Sequence, residues 1–166
     1  MIRAILLTLL LFFISSCGYK PTSIYTKDVL GESIYAEVKI SLEDPENSVI
    51  IKDAVNEAII SQFHSIASNK KNATSKLYLV LKSVSFVPIE YDKNGYVTAY
   101  KTHVLLQSRY IDKENKNHTI TTSGNYDFPI ESNSLISDTK RFEAIKFASA
   151  KALDELRSKI AIRRIK

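Results

Sequence analysis

The most reactive side chain in this sequence is the thiol of Cys17, the single cysteine among 166 residues. One cysteine forms no intramolecular disulfide, and it supplies too few thiolates for a cysteine-based zinc site. The three histidines, His64, His103 and His118, are scattered without the short spacing of metal ligands. Redox, thiolate-metal and zinc-finger chemistry are therefore excluded, and no metal or cofactor is expected.

The pattern of the remaining polar residues does not indicate catalysis. The four glycines are isolated, so there is no phosphate-binding loop, and no serine lies in a nucleophile elbow. Adjacent carboxylates occur at Asp44 and Glu46 and at Asp154 and Glu155, where a helix cap and a solvated helix face explain them. The sequence predicts a binding protein with no catalytic residues, and a periplasmic enzyme with an unrecognised site is the alternative.

Residues 1–16 have the composition of a signal peptide, with one arginine ahead of an eleven-residue uncharged apolar run. That run is too short to cross a bilayer core of about 30 Å. The four residues at its end, which resemble a bacterial lipobox, are Ile14, Ser15, Ser16 and Cys17. The resemblance implies cleavage before Cys17, a diacylglycerol thioether on its sulfur, and an acyl chain such as palmitate on its amine. An ordinary secretory signal followed by a free cysteine is the alternative.

The residue that follows Cys17 and the net charge of the chain together limit its possible binding partners. Glycine, not aspartate, follows Cys17, which in bacterial lipoproteins resembles the outer-membrane default. Basic residues number 23 against 18 acidic ones, and this modest excess fits an anionic partner or a plain solvated surface. An exported, lipid-anchored protein seldom meets nucleic acid, so none is expected. The abundant anionic ligand of a Gram-negative envelope is lipopolysaccharide.

The rest of the chain predicts one α+β domain over residues 33–166, preceded by an irregular lipidated tether over residues 17–32. Apolar residues alternate from Ser33, which predicts a strand. The sequence Asp44-Pro45-Glu46 predicts the start of an amphipathic helix of roughly five turns. Its apolar stripe is formed by Ile51, Val55, Ile59, Phe63 and Ile66.

Three strands and a second helix follow. The parity of the apolar residues changes near Lys82 and Ser83, which predicts a β-bulge, and Asn94-Gly95 predicts a hairpin turn that needs positive φ angles. The last helix is expected to begin near Ser137 or Asp138. Its apolar stripe is formed by Phe142, Ile145, Ser149, Ala152, Leu156 and Ile160. The order β-α-β-β-β-α favours a mostly antiparallel four-stranded sheet with both helices packed on one face.

The long strand over residues 96–111 has two different faces. One face carries Tyr96, Tyr100, Val104, Leu106 and Tyr110, and the other carries Lys101, His103, Gln107 and Arg109. A core face and a solvated face explain this pattern. Alternatively, basic side chains of the second face and of the adjoining loops bind an anionic ligand, since Arg and Lys suit phosphate. Those candidates are Lys93, Lys101, Arg109, Lys113 and Lys116.

The lipobox, the sequence Cys17-Gly18-Tyr19 and the domain architecture together resemble the LptE family of lipopolysaccharide-assembly lipoproteins. In the order of its predicted elements, nearly the whole chain resembles the family. Individual residues match only at the three positions of Cys17-Gly18-Tyr19. The next three residues, Lys20-Pro21-Thr22, differ from the sequence that usually follows in the family. The resemblance implies an outer-membrane lipoprotein at the periplasmic face. Such a protein plugs and partners an LptD β-barrel, binds lipopolysaccharide and assists its insertion into the outer leaflet. An accessory scaffold lipoprotein of an envelope transporter or secretion complex is the alternative.

Overall fold

The computed structural model describes residues 22–39 and 45–165. The proposed signal peptide, Cys17 and the predicted helix cap Asp44 lie outside the described residues. The helices are α1 (Thr22–Leu30), α2 (Pro45–Ser61) and α3 (Asp138–Ile165), and the strands are β1 (Ser33–Lys39), β2 (Ile66–Ala67), β3 (Ser75–Tyr91), β4 (Val97–Ile111) and β5 (Asn117–Pro129).

The strands form one sheet in the order β2-β1-β3-β4-β5, which confirms the α+β class. β3, β4 and β5 form an antiparallel meander, whereas β1 lies parallel to both β2 and β3. The sheet therefore has five described strands where four were predicted. The additional strand arises because α2 ends at Ser61, after which Ile66 leaves the predicted helical stripe, pairs with Ser33 and lies 70% exposed.

One face of the sheet forms the hydrophobic core. The side chains of this face come from alternate positions of β1, β3 and β4, and they pack against the buried stripes of α2 and α3. Among them Leu77, Leu79 and Leu106 are fully buried. The predicted bulge is present, because the β3–β4 register shifts between Leu81 and Ser83 and so returns Val84 to the core face. Both long helices thus cover one face, as predicted.

α3 approaches β5 so closely that a side chain would not fit between them. A Cβ atom added to Gly124 would stand 1.9 Å from the carbonyl oxygen of Ala148 and 2.6 Å from the amide nitrogen of Ala152. Ala148 and Ala152 are both fully buried. Small residues on both elements therefore set the distance between the helix and the sheet.

α3 also covers part of the outer edge of β5. The Glu155 carboxylate accepts a hydrogen bond of 2.7 Å from the Ser123 N–H, and the Lys159 ammonium donates one of 2.9 Å to the Thr121 carbonyl. Glu155 and Lys159 also form an ion pair of 3.0 Å. Burial raises the pKa of Glu155, but these donors lower it more, so that it lies below its usual range. The two side chains satisfy edge groups that would otherwise be open to another strand.

α1 is a helix that the sequence pattern did not predict, since residues 17–32 were expected to be irregular. It packs against the C-terminal half of α3, where the Thr26 hydroxyl donates to the Arg157 carbonyl over 3.4 Å and Leu30 is fully buried. The helix ends at Leu30, after which the Gly31 N–H donates to the Lys27 carbonyl over 2.7 Å and the positive φ of Gly31, 79°, turns the chain out of the helix. Among the described helices none is long and apolar enough to cross a membrane.

Two aromatic residues differ from their predicted places. Tyr96 was assigned to the core face of the long strand, but β4 begins at Val97, and Tyr96 closes the hairpin turn by hydrogen bonds with Asp92 and is 46% exposed. In that turn Gly95 has a positive φ of 84°, whereas Asn94 does not. Phe142, assigned to the helical stripe, is 47% exposed. It lies in the first turns of α3.

We predict that Gly124→Ala lowers the free energy of unfolding by about 3 kcal/mol, because the added methyl group must displace the backbone of α3. Urea denaturation monitored by circular dichroism measures the change. The control is Thr121→Ala, a neighbouring exposed side chain of the same strand, which should change stability by less than about 0.5 kcal/mol. A Gly124→Ala variant as stable as the Thr121→Ala control would contradict the close packing.

Candidate functional site

The five predicted basic residues do not form one cluster. Lys93 lies in the β3–β4 turn, and Lys113 and Lys116 lie in the β4–β5 turn at the opposite end of β4. At about 3.3 Å per residue, the 15 residues of β4 separate these two turns by about 50 Å. Lys101 and Arg109 lie between them, on the face of the sheet away from the helices.

The turn that holds Lys93 is fixed by Asp92. Its carboxylate accepts hydrogen bonds from the Asn94 and Tyr96 N–H groups, at 2.8 and 2.9 Å, and from the Ser132 hydroxyl. The Ser132 hydrogen bond, followed by those of the backbone, lowers the pKa of Asp92. Lys93 itself is exposed at the tip.

The turn that holds Lys113 and Lys116 is organised by Asp112. This carboxylate accepts from the Glu114 and Lys116 N–H groups at 2.9 and 3.0 Å, and it lies 2.8 Å from the His118 ring nitrogen. Burial raises the pKa of Asp112, but these hydrogen bonds lower it more, so that the net pKa is below its usual range. Lys116 pairs with Glu114 at 2.8 Å, and a cavity of about 430 Å³ lies beside the turn.

Lys101 also has a carboxylate partner. Its ammonium group lies 3.8 Å from Asp127, the residue directly opposite on β5. The neighbouring His103 bonds Asn125 over 2.6 Å, again directly across the strand pair. This part of the face is therefore a set of cross-strand polar pairs.

Arg109 differs from the other four because it borders a groove. Its guanidinium stacks over the ring of Tyr78, directly opposite on β3, with 5.1 Å between the guanidinium carbon and the ring centroid. The groove has a volume of about 630 Å³ and is also lined by Glu37, Lys39 and Lys70. Sequence analysis missed these residues as a group because they come from β1, β3 and the loop before β3.

The groove lies where four strands run side by side. The strand registers place Glu37, Tyr78, Arg109 and Thr119 in one row and Lys39, Val80, Gln107 and Thr121 in the next. Tyr35 packs edge-on against Tyr78 at 6.2 Å, and Lys70 lies 5.9 Å from each ring centroid. The hydrogen bond from Tyr35 to Glu37, 3.0 Å long, raises the pKa of Tyr35. The open face therefore combines aromatic rings, hydroxyl and amide groups, and cations.

Within residues 22–39 and 45–165, no group of three or more His, Cys, Asp or Glu side chains is arranged to hold a metal ion.

The sequence model of the family described as LptE, lipopolysaccharide-assembly, matches residues 35–160 of this chain, which is more than half of its length. No curated protein matches the sequence of this chain. A crystal structure from Caulobacter crescentus, named as a lipoprotein, is similar with a TM-score of 0.51 at 11% identity, covering 86% of this chain and 94% of that one. The rare lipoprotein B of Shewanella oneidensis is similar with a TM-score of 0.43 at 11% identity, covering 81% and 91%. At 11% identity, the similarity to the Caulobacter crescentus structure supports the fold of this chain and nothing further.

The Asp112 turn makes stability depend on pH in acid. Because the folded pKa of Asp112 is lowered, its contribution is present above the unfolded pKa of about 4 and is lost as the pH falls through the folded value. We predict that Asp112→Asn is about 2 kcal/mol less stable than the natural protein at pH 7, with this difference shrinking below pH 4. Urea titrations at a series of pH values measure it. Lys113→Gln, which leaves the carboxylate and its donors intact, should follow the natural profile; a constant deficit of Asp112→Asn down to pH 2 would contradict the assignment.

Proposed function

The chain belongs to the LptE lipopolysaccharide-assembly family, and from that premise we propose that it is an outer-membrane lipoprotein that plugs and partners an LptD-like β-barrel. In this role it binds lipopolysaccharide at the periplasmic face and assists its insertion into the outer leaflet. The observation that carries the proposal is the sheet itself, which has one face buried by helices and one broad polar face left open.

The lipid anchor is proposed at Cys17. Thr22, where α1 begins, is five residues after Cys17, so at most about 18 Å of extended chain joins the thioether to the folded domain. α1 packs against α3, and the Val29 carbonyl accepts a hydrogen bond of 3.2 Å from Lys113 in the β4–β5 turn. Because this connecting segment is so short, the lipid anchor keeps the folded domain close to the bilayer. Several acyl chains give stable attachment where one chain is marginal.

The dimensions and polarity of the domain suit the lumen of a large barrel. β4 is about 50 Å long and the 28 residues of α3 give a helix of about 42 Å, against an apolar barrel wall about 25 Å tall. Barrel lumens are polar, and the open sheet face carries Ser, Thr, Asn and Gln side chains on neighbouring strands. A body whose long elements exceed the height of the wall would reach from one end of such a lumen to the other.

Lipopolysaccharide is the proposed ligand because it is anionic and the surface carries cations. Lys93, Lys101, Arg109, Lys113 and Lys116 remain the candidate contacts predicted from sequence. Their spacing over about 50 Å means that one ligand molecule does not contact all five at once.

Depletion of the protein in its own host tests the function. We predict that lipopolysaccharide then accumulates in the inner membrane and periplasm while its amount at the cell surface falls. Cys17→Ala should fail to restore surface lipopolysaccharide and should be lost from the outer-membrane fraction, whereas Tyr19→Phe, which keeps the thiol, should restore both.

Surface lipopolysaccharide that stays normal during depletion would contradict the assembly role. Recovery of the protein with an inner-membrane ATPase complex in place of a β-barrel would instead support the accessory scaffold. Full outer-membrane recovery of Cys17→Ala would refute the anchor alone.

A further inference from the structure

We propose that the groove beside Tyr78 is the site that holds a phosphorylated sugar of the glycolipid headgroup, with Arg109 and Lys70 binding the phosphate and Lys39 adding charge. This inference rests on the proposed function and deepens it, because it assigns the ligand contact to one place on the domain. It also replaces a set of five dispersed cations with three that share one groove.

Arg109 is held in a geometry that suits a phosphate. The cation–π contact with Tyr78, 5.1 Å from the guanidinium carbon to the ring centroid, positions the guanidinium without using its N–H groups, which stay available to oxygen acceptors. Within the described residues Arg109 forms no ion pair, so no carboxylate has to be displaced before an anion binds. A planar, pre-positioned guanidinium binds phosphate through two parallel hydrogen bonds.

Lys70 and Lys39 make the groove positive. Lys70 lies 5.9 Å from the centroids of both Tyr35 and Tyr78, and Tyr78 is also the ring that Arg109 contacts. In the part of the chain that the structure describes, neither lysine forms an ion pair. Three cations thus face one carboxylate, Glu37, which already accepts the hydroxyl of Tyr35 at 3.0 Å.

The rest of the lining suits a sugar. Gln107 and Thr119 border the groove on the strands beside and beyond Tyr78, and Thr121 follows Gln107 in the next row. Amide and hydroxyl side chains can both donate to and accept from sugar hydroxyls. Val80, directly opposite Gln107 on β3, adds an apolar contact. The volume of about 630 Å³ lies in the usual range for ligand pockets.

The other four predicted cations lack these features. Lys101 and Lys116 are each paired with a carboxylate, at 3.8 and 2.8 Å. Lys93 and Lys113 lie in exposed turns at opposite ends of β4, without an aromatic platform among the ring contacts of the described residues. Lys113 and Lys116 border the cavity of about 430 Å³, but three carboxylates, those of Asp28, Asp112 and Glu114, line the same cavity, whereas cations outnumber carboxylates in the Tyr78 groove.

The test measures binding of the purified mature full-length chain to diphosphorylated lipid A in detergent micelles, and to the same lipid A after removal of its phosphates. We expect Arg109→Gln to weaken binding of the diphosphorylated form about tenfold, Lys70→Gln about threefold, and Arg109→Lys by an intermediate factor. The controls Lys52→Gln and Lys140→Gln remove the same charge from exposed helix positions outside the groove and outside the five candidate contacts, and should bind within about twofold of the natural protein. Thermal unfolding confirms that every variant is folded.

The outcomes separate this inference from the function on which it rests. If the natural protein binds neither form of lipid A, the proposed function fails. If it binds but all four glutamine variants weaken binding equally, the contact is diffuse charge and the groove assignment is wrong. Dephosphorylated lipid A that remains as sensitive to Arg109→Gln as the diphosphorylated form would also overturn the assignment, because Arg109 would then contact something other than phosphate.

Discussion

The close contact between α3 and β5 is the constraint on which the rest of the structure depends. Because Gly124 has no side chain, the helix backbone lies directly on the strand, and Ala148 and Ala152 present small side chains there. The same helix then reaches the edge of β5 with Glu155 and Lys159. α3 therefore covers part of one face, which α2 also covers, and part of one edge of the sheet, and the opposite face has no described element packed on it.

The composition of the open face follows from strand alternation. Every second residue of the four main strands points away from the helices, so a side chain's parity decides whether it lies in the core or on the open face. In β4 the even positions from Thr102 to Tyr110 are buried, and the odd positions present Lys101, His103, Leu105, Gln107 and Arg109. What makes Arg109 different is its neighbour across the sheet, since Tyr78 is aromatic whereas Asp127 beside Lys101 is acidic.

Local pattern was sufficient to predict most of this arrangement. The alternation in β1, the parity change at the bulge and the capped start of α3 are properties of a few adjacent residues, and the structure has all three. α1 was missed because, among residues 25–30, whose burial the structure describes, only Thr26 and Leu30 are fully buried. Its helical pattern is therefore weak, and its contact with α3 stabilises it. β2 has two residues, too few for any period. The groove was missed because Lys70 contacts Tyr35 and Tyr78 only when β1 pairs in parallel with β3. A pairing between strands distant in sequence cannot be predicted from the pattern of adjacent residues.

The most direct test of the central claim, that the open sheet face contacts the glycolipid, is photocrosslinking in living cells. A photoreactive amino acid is placed at Gln107 on the open face and, as the matched position on the helical layer, at Lys151, an exposed residue of α3. The account predicts crosslinks to lipopolysaccharide from position 107 and few or none from position 151. Crosslinks to lipopolysaccharide from position 151 alone would show that the helical layer is the ligand surface and would contradict the account.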